Sequence, residues 1–188
     1  MNKNLAKIRE LVKGKFEQND WKFHILPVIK YAKKLAKIYG VDQEITELAA
    51  LLHDIGRTRI ESDKEHHIVG VHRAEKILKK YNYSEKVIKE IKHCIESHRI
   101  TKGPKPKTIL AKIIATADAM AHFDALPVLF YQRARRGKNF EEILDWVDMK
   151  IEKDWHKKLL LPEAKKMMEE KYRTIRLILD SLKEYSIK

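Results

Sequence analysis

Apolar residues recur along this chain at the three- and four-residue spacing of a helix, from one end to the other. Leu5, Ile8, Val12 and Phe16 predict a first amphipathic helix over residues 4–17. A second runs from an N-cap at Asp20 to Tyr39 and stops at Gly40, with Pro27 near its start as a source of bending. Asp42 caps a third, whose stripe of Ile45, Leu48, Ala49 and Leu52 ends near His53. After Gly56, Asp63 caps a fourth helix that carries Val69, Ala74, Ile77 and Leu78. Ser84 opens a fifth, with Val87, Ile88, Ile91, Cys94 and Ile95. The Gly103-Pro104 segment then interrupts the pattern. A sixth helix begins near Thr108 with Leu110, Ile113, Ile114 and Ala117, and a shorter one follows Asp124. Two long helices, about 139–160 and 162–185, are divided by Pro162 at an N1-like position. The sequence contains no alternating strand pattern and no repeat. The expected fold is therefore all-α: a single-domain bundle over residues 1–188, with the chemistry in a core of 20–125 and a helical extension over 126–188.

Composition narrows the picture. A hydrophobic share of 44%, with only 6 Gly and 5 Pro, suits a chain that buries one good core. No apolar run approaches the roughly 20 residues of a membrane span. Met1-Asn2-Lys3-Asn4-Leu5 leads into a charged helix and not into a signal-peptide core, so the expected home is the cytoplasm, without a membrane partner. The single cysteine, Cys94, excludes an intramolecular disulfide and a cysteine-built zinc cage. Lys and Arg number 40 against 27 acids, a formal charge of +13 that attracts phosphates on nucleotides or nucleic acid. The excess is spread out, apart from the basic segments 102–107 and 133–138. Such Lys richness equally fits a high-temperature lifestyle.

Candidate chemistry lies on the inward faces. His53 continues the buried stripe of its helix, and Asp54 follows it directly. A neutral imidazole beside a carboxylate in an apolar wall suits a divalent metal, because each loses hydration on burial and needs a partner. His98 follows Ile91 by seven and Cys94 by four, which places it inward, whereas His93 falls among Lys86, Lys89 and Glu90. Asp118 follows Leu110 by eight, Ala111 by seven and Ile114 by four, so something cationic should face it, whether a metal or a structural salt bridge. His24, between Phe23 and Ile25, and one of His66 and His67 complete the inward set. His72, His122 and His156 are expected to play no part. Mixed imidazole and carboxylate ligation suits Mn, Fe, Co, Ni or Zn, with Mg where few histidines bind.

The pattern of His24, then the His53-Asp54 pair, then Asp118 resembles the HD superfamily of metal-dependent phosphohydrolases. Ala49-Ala50-Leu51-Leu52-His53-Asp54-Ile55-Gly56 is similar to that family's signature, and His66…Gly70, Ser97-His98 and Ala117-Asp118 extend the likeness. The resemblance covers roughly residues 20–125. It implies a helical bundle of the HD type, with His24, His53, Asp54 and Asp118 on one metal and His66 and His98 on a second. It also implies hydrolysis of a phosphate ester or anhydride by metal-activated water, with a nucleotide as the leading substrate class. Asp54 would orient the water, and Arg57 and Lys112 would meet phosphate oxygens. Two other readings stand beside it. One is a di-iron oxygenase of HD type; the other is a non-catalytic, basic nucleic-acid-binding or regulatory module, against which stands the absence of known nucleic-acid motifs. Trp146, Trp155, Met167, Met168, Tyr172 and Ile175 at helical spacing point to core or homodimer contact and not to a ligand box.

Overall fold

Ten α-helical segments lie among the described residues, and all but the short turn at Gln18–Asp20 follow the apolar stripes. The computed structural model describes residues 3–57, 66–100 and 103–185, with side chains in the middle stretch from Ile68 onward. Helix α1 spans Lys3–Lys13, α2 is the single turn Gln18–Asp20, and α3 is Leu26–Tyr39. Then come α4 (Gln43–Leu52), α5 (His66–Lys80), α6 (Glu85–Ser97), α7 (Ile109–Asp124), α8 (Leu126–Ala134), α9 (Phe140–Lys153) and α10 (Pro162–Glu184). Among the described residues there is no strand, so the fold is all-α as the periodicity predicts.

The boundaries follow from capping chemistry. Asp42 Oδ1 accepts from Ile45 N at 2.8 Å, Ser84 Oγ from Val87 N at 3.4 Å and Thr108 Oγ1 from Ala111 N at 3.1 Å. Gly40 closes α3 in the left-handed region at φ 65°, which its missing Cβ permits. The expected cap at Asp63 lies outside the described residues. Asp20 is not a cap: it is itself helical, and its Oδ1 accepts from Gln132 Nε2 at 3.2 Å, tying α2 to the end of α8.

Two π turns, Trp21–Ile25 and Asp154–Lys158, extend helices where the sequence predicts uninterrupted α geometry. Pro27 accounts for the first. It has no N–H and its ring crowds the carbonyl of Phe23, so the ladder slips and Leu26 N donates to Trp21 O, five residues back.

Helix α7 is the centre of the bundle. Twelve of its residues are buried, because α3, α4, α6 and α10 all pack against it. Glu47, 3% exposed, takes Arg9 of α1 and Lys33 of α3, so the outer helices close over the core with their charges paired. The C-terminal pair docks through aromatics: Trp155 stacks on Tyr172 at 4.2 Å, and Phe123 meets both edge-on. Met168 and Ile175 are buried there too, as the core reading of that stripe predicts, while Met167 stays 38% exposed. No single described helix is long and apolar enough to cross a membrane.

Candidate metal centre

Five histidine and aspartate side chains arrive at one point from four helices. His24 comes from the first π turn, His53 and Asp54 from the end of α4, His98 from the end of α6 and Asp118 from the buried stripe of α7. All but His24 are 5% exposed or less. Behind the His-Asp pair, a Cβ on Gly70 would come within 3.3 Å of Gly56 N and of Ile95 Cγ2. A glycine in α5 therefore lets the His53–Arg57 turn sit close against that helix.

Backbone bonds fix the imidazoles. His53 Nδ1 lies 2.7 Å from Ala50 O, and His98 Nδ1 lies 2.6 Å from Ile95 O. A carbonyl only accepts, so each Nδ1 carries the proton and each Nε2 turns a lone pair inward. His53 Nε2 then faces His24 Nε2 at 3.3 Å, Asp54 Oδ2 at 3.5 Å and Asp118 Oδ1 at 4.0 Å. His24 Nε2 stands 3.2 Å from Asp54 Oδ2 and 3.6 Å from Asp118 Oδ1. Burial pulls the His53 pKa down from 6.5 to about 4, so this ring is neutral at pH 7. Ligand atoms of His24, His53 and Asp118 all lie within 4.8 Å of one another. Lone pairs and anionic oxygens gathered in a largely buried site repel one another unless a cation joins them. The donor set fits a divalent ion in mixed nitrogen and oxygen ligation.

Asp54 faces two ways. Its Oδ2 meets His24 and His53, while Oδ1 meets His98 Nε2 at 3.4 Å and Arg57 Nε at 3.0 Å. Burial alone would raise its pKa; Arg57 first, then the surrounding histidines, hold the carboxyl well below the usual carboxylate range. Asp118 divides its oxygens as well. Oδ1 faces the imidazoles, and Oδ2 accepts from Lys158 Nζ at 3.0 Å. Lys158, with Asp118 and Asp154 beside it, keeps its charge despite burial.

That lysine opens a second buried network, on the far side of Asp118. Asp154 Oδ1 lies 3.8 Å from Lys158 Nζ, and its Oδ2 accepts from Lys150 Nζ at 2.8 Å. His122 Nδ1 is 2.9 Å from the same Oδ2, and His122 Nε2 reaches to 3.7 Å from Asp118 Oδ1. Burial, then Lys150, lowers the His122 pKa from 6.5 to about 4.

The structure thus brings together His24, His53, Asp54, His98 and Asp118, with Arg57 at the pair. Lys112 is exposed on α7 and joins none of the cluster's contacts. The His66 and His67 side chains lie outside the described residues. His93 stays away from the site and accepts from Lys107 N at 2.9 Å. His122 is the correction: its sequence position carries no expected role, yet its side chain, 12% exposed, lies against the centre and stacks on His24 at 5.4 Å. The missed signal is simple, since His122 follows Asp118 by four on the same apolar stripe. Lys150, Asp154 and Lys158 were also missed. They continue the inward positions of Ile143, Val147 and Ile151 into the second π turn. In the basic segment 133–138, Arg133 is engaged within the fold, its guanidinium 3.9 Å over the Trp146 ring.

The HD domain family pattern matches residues 23–122, from the first π turn to the end of α7. The chain belongs to the HD family, the superfamily of metal-dependent phosphohydrolases. Over 99 residues it is 34% identical to Ribonuclease Y of Lawsonia intracellularis, covering 52% of this chain and 17% of that protein. Over 113 residues it is 30% identical to a tRNA (cytidine(56)-2'-O)-methyltransferase of Picrophilus torridus, covering 55% of this chain and 32% of that one. The chain therefore spans less than two thirds of the length of these relatives. The crystal structure of Bacillus subtilis YpgQ in complex with ADP has the same fold, with a TM-score of 0.70 at 19% identity over 97% of this chain and 94% of that one.

Proposed function

We propose that this chain hydrolyses a phosphate ester or anhydride of a small phosphorylated molecule, with a nucleotide as the favoured class. The observation that carries this reading is the meeting of His24 and His53 Nε2 with Asp54 Oδ2 and Asp118 Oδ1 at a largely buried point. Those four side chains would hold a divalent ion, and His98 with His66 would serve a second. Once bound, such an ion offers Lewis-acid stabilisation to a phosphoryl group and makes a water acidic enough to attack it.

The remaining work falls to the chain's own residues. Asp54 is too acidic to take a proton near pH 7, so it orients the attacking water and does not act as a base. Arg57, 47% exposed at the lip of the pair, would take a phosphoryl oxygen. Around the centre, Asp54, Asp118 and Asp154 face Arg57, Lys158 and Lys150, so their charges balance before any ion enters. A divalent ion then leaves the pocket doubly positive, which favours a phosphate dianion. ADP in YpgQ, a protein of the same fold, supports a nucleotide as the substrate class.

The test is phosphate release from a panel of nucleoside mono-, di- and triphosphates, before and after chelation. The reading predicts turnover that chelator removes and Mn²⁺ restores. No release from any member by metal-loaded protein would overturn it.

A further inference from the structure

Asp118 Oδ1 is ringed by three imidazole nitrogens and not two. His24, His122 and His53 place Nε2 at 3.6, 3.7 and 4.0 Å from it. His122 reaches this position from one turn further along α7 than Asp118 itself, with its ring nearly parallel to that of His24, 15° apart. Its other nitrogen is held from behind: Asp154 Oδ2 lies 2.9 Å from His122 Nδ1. A carboxylate that accepts from one ring nitrogen leaves the other as a bare donor to a metal, which is the arrangement that commonly orients histidine ligands. We propose that His122 is a further nitrogen ligand of the metal centre and that Asp154 is its positioning residue, so that the C-terminal helices complete the site. This inference rests on the metal-centre reading above.

Lys150 sharpens the argument. Its Nζ stands 3.0 Å from His122 Nδ1 as well as 2.8 Å from Asp154 Oδ2. Without an ion, two tautomers compete. In one, Lys150 donates to Nδ1 and the ring proton sits on Nε2; in the other, Nδ1–H donates to Asp154 and Nε2 is bare. A cation beside Asp118 Oδ1 is served only by the second. Metal binding would therefore move the His122 proton onto Nδ1. Lys158 contributes by occupying Asp118 Oδ2, which leaves Oδ1 as the oxygen that His122 and the ion share.

Zn²⁺, being diamagnetic, lets this be read on the whole chain. Long-range proton–nitrogen spectra of ¹⁵N-labelled protein should show the Nε2 signals of His24, His53 and His122 all moving to metal-bound positions on Zn²⁺ addition. By calorimetry, His122→Ala should weaken Zn²⁺ binding by about 10–100-fold, and Asp154→Asn by about 10-fold. His93→Ala, away from the centre, should change it less than twofold. His24 and His53 signals that move while His122 stays fixed would overturn this inference and leave the metal centre standing. If His24 and His53 do not move either, both fall. The spectra need no substitution, so a His122 variant that fails to fold does not cost the test.

Discussion

The two π turns make an instructive pair. Trp21–Ile25 and Asp154–Lys158 each insert one extra residue into a helical ladder, and each delivers polar side chains to Asp118. The first has a visible cause in Pro27 and presents one imidazole to the ligand side of Asp118. The second has no proline within it: Leu159 N simply donates to Asp154 O at 3.0 Å, and the chain then breaks before Pro162. It presents Asp154 and Lys158 together, and they support the far side of the same carboxylate. A widened turn lets a helix turn charge inward without ending. One turn supplies donors to the centre; the other holds the centre in place.

Breaking the donor side should have the largest effect. Asp54→Ala removes the carboxylate that faces both ways, and metal-dependent turnover should fall by more than about 100-fold while the helical circular dichroism is retained. Full activity in that variant would remove Asp54 from the site.

Breaking the supporting side should show first in stability. Lys158→Met leaves Asp118 and Asp154 buried with less positive charge, which should cost about 3–5 kcal/mol in urea unfolding. A loss under about 1 kcal/mol would mean that the second π turn does not hold Asp118.

Acid tests both sides together. His53 and His122 titrate near 4 in the fold against 6.5 for the ordinary side chain, because burial disfavours the charged ring. Between those values the unfolded chain binds more protons, so stability rises with pH across the window. The contribution is complete above about pH 6.5 and lost as pH falls towards 4. The metal-free protein should lose on the order of 4 kcal/mol between pH 7 and 5, about half from each ring. A His53→Gln, His122→Gln double variant should flatten that dependence; an unchanged slope would place its origin elsewhere.

The smallest effect is a designed control. His93→Ala should leave metal content unchanged, since His93 caps the segment before α7 through Lys107 N and does not face the centre. A large loss of metal there would mean that α6 is rotated about its axis.

Most helices could be read from their stripes because burial and the 3.6-residue period coincide in them. Asp42, Ser84 and Thr108 cap as their chemistry dictates. The inward placement of His53, His98 and Asp118 follows from the same periodicity. What escaped is instructive in physical detail. Lys150, Asp154 and Lys158 fall at i, i+4 and i+8, which reads as an exposed ladder of helical ion pairs. The ladder in fact follows the inward stripe of Ile143, Val147 and Ile151, and the π register keeps Asp154 and Lys158 buried at its end. The expectation of a cation facing Asp118 was sound, but its two alternatives are not exclusive: one oxygen takes a lysine and the other faces the imidazoles. Asp20 failed as a cap because the π turn carries the helix straight through it.

The central claim is that a divalent ion belongs among His24, His53, Asp54 and Asp118, and elemental analysis tests it most directly. Protein purified without chelator or affinity tag should carry about one or two Mn, Fe, Co, Ni or Zn per chain, or take up as much on soaking. A chain that holds no metal, and gains none when soaked, would contradict the account.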